Sequence, residues 1–152
     1  ERIERLRARI PDVSLRTTFV VGFPGEGPEE FERLLDGLET FRFNFAGFFP
    51  FSPQEGTAAA AMPDQVAEAI KTRRSRQLAR RQFEISQKVG QGYVGQTVPV
   101  LVDGRFPGLD LYIGHSPYQP LEVDGMVRFV SRRPLDPGDV APVIVRKAEG
   151  VD

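Results

Sequence analysis

The residues that most constrain the fold are Gly22-Phe23-Pro24-Gly25, a forced turn between two segments of different periodicity. Before the turn, Ser14–Val21 (SLRTTFVV) is β-branched and aromatic, the composition of a strand. After it, Pro28 occupies a natural first helical position, and Glu29 and Glu30 suit the positive end of a helix dipole. Phe31, Leu34, Leu35 and Leu38 recur at helical spacing, so this helix packs one face on a core. Phe43–Phe49 (FNFAGFF) reads as the next strand. Strand, helix and strand within roughly 35 residues make a βα unit of a parallel sheet.

The flanking segments divide the chain in two. Glu1–Ile10 reads as the end of a helix, with Ile3, Leu6 and Ile10 on one face, stopped by Pro11-Asp12. Pro50–Gln65 is expected to be a long loop with three prolines. A long helix follows from Val66 to about Val89, with Val66, Ile70, Leu78, Ile85 and Val89 as its apolar stripe. Gly90, Gly92 and Gly95 end it. Beyond Gln96, short strands are expected at Thr97–Val102, Leu109–Gly114, Met126–Val130 and Val140–Lys147. Turn signals separate them at Asp103-Gly104, Asp124-Gly125 and Asp136-Pro137-Gly138-Asp139. Such spacing predicts a small all-β barrel. The expected domains are therefore residues 1–90, with the βα units and the long helix, and residues 91–152, the barrel.

A length of 152 residues accommodates one ordinary domain or two small ones. The net charge of −1 means that any nucleic-acid signal must be local. Lys71–Arg81 holds six basic residues and no acid, a run that is usually a solvated face. The chain has no cysteine, which excludes disulfides, thiol catalysis and cysteine-ligated zinc or iron–sulfur sites within it. No apolar run approaches the roughly 18 residues of a membrane span, no signal peptide is visible, and a cytoplasmic location is expected. Glu1 falls inside a helical-looking stretch, so the chain reads as cut from something longer.

Arg16–Glu26 (RTTFVVGFPGE) resembles the fifth-strand motif of radical S-adenosylmethionine (SAM) methylthiotransferases. Phe48–Val66 (FFPFSPQEGTAAAAMPDQV) resembles the loop after the sixth strand of the same enzymes. A long basic helix and a TRAM-type β-barrel complete the series, so the resemblance covers nearly the whole chain. Within Gly114–Val127 (GHSPYQPLEVDGMV), Glu122-Val123-Asp124-Gly125 favours the RimO-type branch, which modifies an aspartate of a small-subunit ribosomal protein. The alternative is the MiaB-like branch, which modifies a tRNA adenosine. His115, Leu121 and Phe51 depart from the residues usual in the family, which are arginine, proline and tyrosine.

The resemblance implies the last βα units of a radical SAM barrel followed by a TRAM/OB-like barrel. It also implies SAM and two 4Fe–4S clusters in the whole enzyme. The cysteines that would hold those clusters are absent here, so the chain alone is expected to be inactive. By period-two alternation Arg16, Thr18, Val20 and Gly22 share one strand face. On the residues alone, Arg16 reads as an exposed strand-end cation and Val20 as core. The resemblance makes Arg16 and Thr18 candidates for the SAM carboxylate or ribose, and Val20 for the adenine. Gly22, Phe23, Pro24 and Gly25 are then expected to border the SAM site, with Phe49 and Pro50 at the next strand end. His115, Ser116, Tyr118, Glu122 and Asp124 are the candidates for recognising the ribosomal-protein substrate.

Among the barrel aromatics, Tyr112 and Phe129 are expected in the core, and Phe106 and Tyr118 exposed. Interleaved arginines make the barrel a candidate contact for ribosomal RNA or tRNA. Two other readings compete with an enzyme segment: a module that only binds ribosomal protein or RNA, and a decayed gene product without activity.

Overall fold

The computed structural model describes residues 2–119 and 125–149. Its elements run α1 (Arg2–Arg9), β1 (Arg16–Val21), α2 (Pro28–Phe41), β2 (Phe45–Pro50), α3 (Ala58–Ala61), α4 (Glu68–Gln91), β3 (Thr97–Arg105), β4 (Leu111–His115), β5 (Val127–Val130) and β6 (Val140–Ile144). They form two compact units, one of residues 15–89 and the other joining 2–14 to the described residues from 90 onward.

In the α/β unit, β1 and β2 pair in parallel, with Arg16 opposite Phe45, Val20 opposite Phe49 and Val21 opposite Pro50. The right turn chemistry sits on either side of α2. Gly27 precedes it, Glu30 Oε2 accepts the Gly27 N–H at 3.0 Å, and Arg42 closes it with left-handed backbone. The hydrogen bonds to its own and the Gly27 backbone N–H hold the Glu30 carboxyl below the usual glutamate range. Phe31 and Leu38 are buried on the core side of α2, with Leu34 and Leu35 half-buried. Phe19 stacks on Phe48 at 5.7 Å and meets Phe43 edge-on at 6.0 Å. The segment expected to be all loop, Pro50–Gln65, contains α3, because Thr57 Oγ1 accepts the Ala60 N–H at 3.2 Å and caps one turn of alanines.

The long helix differs from expectation in what it buries. Leu78 and Ile85 are buried as expected, but Ile70 is exposed, and the remaining buried positions are Lys71, Arg74 and Gln82. Polar side chains serve here because α4 covers backbone carbonyls that need donors. Gln82 Nε2 donates to Phe43 O at 2.9 Å, Ser86 Oγ to Asn44 O at 2.8 Å, and Ser75 Oγ to Phe48 O at 3.3 Å.

The second unit is a curled antiparallel sheet of order β5-β4-β3-β6. Val98, Val100, Val102, Tyr112, Phe129, Leu135 and Ala141 form its core. Tyr112 and Phe129 are buried and Phe106 is exposed, as expected. Tyr118, expected to be exposed, is half-buried against this core and its ring lies 5.0 Å from that of Tyr93. Asp103-Gly104 is not the expected turn. The strand continues to Arg105 through a bulge between Val102 and Gly104, and the reversal falls at residues 106–110 around left-handed Gly108. The Asp136–Asp139 turn docks on the bulge, with Gly138 N–H donating to Val102 O at 2.9 Å and Val102 N–H to Asp139 O at 2.8 Å. Asp124, in another expected turn, lies outside the described residues.

Gly114 sets the spacing of β3 and β4: a Cβ there would stand 2.2 Å from Leu101 O and 2.7 Å from Val100 Cγ1. Gly114→Ala is expected to destabilise the sheet by about 1–3 kcal/mol in urea denaturation. Gly104→Ala, whose Cβ would meet nothing nearer than Ile113 Cγ1 at 3.8 Å, should stay within about 0.5 kcal/mol of the parent. Equal losses at both positions would refute this account of the sheet.

Candidate functional site

The two parallel strands are covered on one face only. Thr17, Phe19 and Val21 lie on the half-buried to buried side, whereas Arg16, Thr18 and Val20 are exposed. Their partners on β2 continue this open face: Gly47 beside Thr18, and Phe49 beside Val20. Val20 is 54% exposed and Phe49 60%, both large for apolar residues in mid-sheet. Strands of a parallel sheet are ordinarily buried on both faces, so this face has the character of one that needs a cover.

At the C-terminal end of β1 the chain enters the Gly22–Gly25 turn. Gly22 (φ 74°) and Gly25 (φ 84°) both have left-handed backbone, which glycine adopts without a Cβ penalty. Gly22 and Pro24 are buried, while Phe23 and Gly25 are exposed. Phe23 meets Phe51 edge-on at 5.1 Å. Phe51 N–H donates to Val21 O at 2.7 Å, so the two strand exits stay side by side. The six candidates Arg16, Thr18, Val20, Gly22, Phe49 and Pro50 thus converge on one sheet face and its C-terminal end, with Phe23, Pro24 and Gly25 forming the adjoining turn.

Three charged residues behind this turn lie deeper than charged side chains ordinarily do. Glu26 reads as one of several acids crowding a helix start, but its side chain is nearly buried and bonded with both oxygens. Oε2 accepts the Gly22 N–H at 2.8 Å, and Oε1 accepts from Arg74 Nη1 at 2.7 Å. Arg74 Nη1 also donates to Glu26 O at 2.8 Å, and its guanidinium lies 5.1 Å from the Phe31 ring centre. Lys71 Nζ donates to Phe51 O at 2.8 Å and to Glu68 Oε1 at 2.6 Å. Lys71 and Arg74 belong to the basic run expected to be a solvated face, yet they are 2% and 7% exposed. Arg73, Arg76, Arg80 and Arg81 are exposed, in keeping with that expectation. The signal that could have revealed the pair is position: Lys71 and Arg74 extend the row of Leu78, Gln82 and Ile85 on one helix face.

In the antiparallel unit, His115 ends β4 and its Nδ1 lies 3.0 Å from both carboxylate oxygens of Asp103, the residue that the bulge adds to β3. Both side chains are partly buried. Ser116 is buried; its Oγ accepts the Tyr118 N–H at 3.3 Å and donates to Gln119 Oε1 at 3.2 Å. Ser14 Oγ donates to Tyr118 O at 2.9 Å. His115, Ser116 and Tyr118 are therefore neighbours in one ordered strand end and turn, whereas Glu122 and Asp124 lie outside the described residues. Among the described residues no group of three or more His, Cys, Asp or Glu is placed to hold a metal ion, and no helix is long and apolar enough to cross a membrane.

No family model matches the chain. It is 44% identical, over 95% of its own length and 33% of the relative's, to a protein of Pelotomaculum thermopropionicum named ribosomal protein uS12 methylthiotransferase RimO. Proteins of the same name match from Carboxydothermus hydrogenoformans (39% identity, 94% of this chain, 33% of the relative) and a Synechococcus species (43%, 99% and 31%). By sequence, the chain resembles one segment of these RimO proteins. It spans about a third of the length of these RimO relatives, and corresponds to their C-terminal portion. The RimO similarity runs through both compact units, so the open sheet face and the antiparallel sheet belong to one matched segment.

The turn geometry separates its two glycines. A Cβ at Gly22 would stand 2.4 Å from Lys71 Cγ in addition to the backbone strain, whereas a Cβ at Gly25 would meet nothing within 4 Å. Gly25→Ala should cost about 1–2 kcal/mol from backbone strain alone, and Gly22→Ala about 2–4 kcal/mol because strain and overpacking combine. Arg74→Met, which leaves the Glu26 carboxylate without its cation, should cost about 3 kcal/mol. Urea denaturation of the three variants checks the order, and a Gly22→Ala protein as stable as Gly25→Ala would contradict it.

Proposed function

We propose that this chain is the C-terminal third of a radical SAM methylthiotransferase that methylthiolates an aspartate of ribosomal protein uS12, in the cytoplasm. The observation that carries the reading is its 39–44% identity to RimO proteins across at least 94% of its length. The open β1–β2 face supports it. Two parallel strands backed by helices on one side fit the closing units of a parallel barrel, whose interior would cover Arg16, Thr18, Val20 and Phe49.

In this reading the residues at hand fit SAM. Arg16 suits its carboxylate through a charge-assisted pair, Thr18 its ribose, and Val20 and Phe49 the adenine. The left-handed glycines let the Gly22–Gly25 backbone approach the ligand without side-chain obstruction. Bound in the whole enzyme, SAM would supply the chemistry of hydrogen abstraction. Iron–sulfur clusters do not fit this chain, because it has no cysteine to supply thiolates. No reaction step through a cluster is assigned to its residues.

We read the antiparallel unit, from about residue 91, as a TRAM-type domain that engages uS12 through the His115–Tyr118 end of β4. Its partner is a protein rather than an RNA in this reading, because the relatives' names specify a protein substrate and the whole chain is not basic. Ribosomal RNA remains an outcome of the test below.

The test is to replace the matching third of the Pelotomaculum thermopropionicum relative with this chain, reconstitute the clusters, and offer uS12, ribosomal RNA and tRNA separately. A methylthiolated aspartate in uS12, detected by mass spectrometry, is expected. In the same protein Arg16→Ala should weaken SAM binding about tenfold or more, the effect of losing one charged hydrogen-bonded pair. Modification of tRNA alone, or no product from a chimera that binds its clusters, would defeat the assignment.

A further inference from the structure

We propose that Glu26, Arg74 and Lys71 are positioning residues that hold the two strand exits of the α/β unit in the geometry SAM requires; this rests on reading the open sheet face as the SAM site. None of the three lies on that face. They act from behind, through backbone groups that the ligand would meet from the front.

The first exit is that of β1. The Gly22 N–H is buried with its residue and needs an acceptor. Glu26 supplies one oxygen to this N–H, and Arg74 holds the other. Arg74 is fixed in turn by Glu26 O and by the Phe31 ring, so the carboxylate cannot turn away without stranding a buried cation. The second exit is that of β2. Its Phe51 N–H is bound to Val21 O, and its Phe51 carbonyl is bound to Lys71 Nζ. The Lys71 stem also fills the space where residue 22 would carry a Cβ. Lys71 and Arg74 stand about one turn apart on α4, so one rigid helix sets both exits together.

A purely stabilising role does not account for the choice of side chains. Replacing a buried ion pair with apolar residues of similar volume is often neutral or stabilising, and α4 already uses Leu78 and Ile85 for packing. What charged, directional bonds add is orientation: the Gly22 amide and the Phe51 carbonyl each have one permitted direction. A ligand bound by the backbone of this turn depends on that direction.

The experiment compares Arg16→Ala, Glu26→Gln, Arg74→Lys, Arg74→Met and the exposed-face control Arg76→Met in the whole, cluster-loaded enzyme of the proposed function. It reads SAM affinity by calorimetry and turnover at saturating SAM. Hydrogen exchange of the Gly22 amide is followed by NMR in this chain. Arg74→Met should weaken SAM binding about tenfold and speed Gly22 exchange, with turnover at saturation within about twofold of the parent. Arg74→Lys should recover part of both, and Arg76→Met should change neither. Should Arg74→Met fail to fold, Glu26→Gln, which keeps an acceptor oxygen but removes the charge, carries the same comparison.

A loss of thermal stability with SAM affinity unchanged in Arg74→Met and Glu26→Gln, while Arg16→Ala still weakens SAM, would overturn the positioning role and leave the SAM site standing. No SAM binding by the parent enzyme, or an Arg16→Ala variant that binds like the parent, would remove the site and the positioning role together.

Discussion

A nearly buried carboxylate shared between a backbone amide and a guanidinium organises the α/β unit. Glu26 accepts from Gly22 on one oxygen and from Arg74 on the other, so the turn, the approach to α2 and the N-terminal part of α4 are joined at one side chain. Charges taken from water must be compensated by geometry, and here each partner is within 2.8 Å. The rest of the unit follows from this junction. With α4 fixed by Arg74, its lower polar residues meet the carbonyls of Phe43, Asn44 and Phe48, and the sheet is closed on the helical side. The other side leaves Arg16, Thr18, Val20 and Phe49 exposed.

The boundaries and types of most elements were legible in the residues. Pro28, the acids after it and the spacing of Phe31 and Leu38 are enough to specify α2, and period-two alternation places Thr17, Phe19 and Val21 on the inner face of β1. Legibility failed where charge and burial part company. An apolar-stripe search on α4 picks Ile70, which is exposed, and passes over Lys71 and Arg74, which are buried. Charge alone does not separate the buried cations of the basic run from those that face water; their position in the row of Leu78, Gln82 and Ile85 does, and their acceptors include the carboxylates of Glu26 and Glu68 as well as backbone carbonyls. Asp103-Gly104 failed for a related reason: the dipeptide has turn chemistry, but the hydrophobic alternation of Val98, Val100 and Val102 carries the strand through it as a bulge.

The candidate site divides along the same line. That Arg16, Thr18 and Val20 share a face follows from alternation alone, whereas Phe49, expected only at the next strand end, is placed beside Val20 by the register of the pair. The network behind that face was not legible, since it depends on contacts spanning about 50 residues, such as Arg74 with Glu26. Similarity to RimO proteins bears on what the face is for, while the physical case for what holds the face in shape comes from the hydrogen bonds.

The bulge on β3 has its own chemical consequence. By adding Asp103 opposite the end of β4, it sets both carboxylate oxygens at 3.0 Å from His115 Nδ1. A carboxylate only accepts, so the neutral ring must carry its proton on Nδ1, and the tautomer is decided by the backbone irregularity next door. Nε2 is then a lone pair. In that neutral tautomer Nε2 can only accept, so the bulge in β3 decides which nitrogen of His115 has a hydrogen to give.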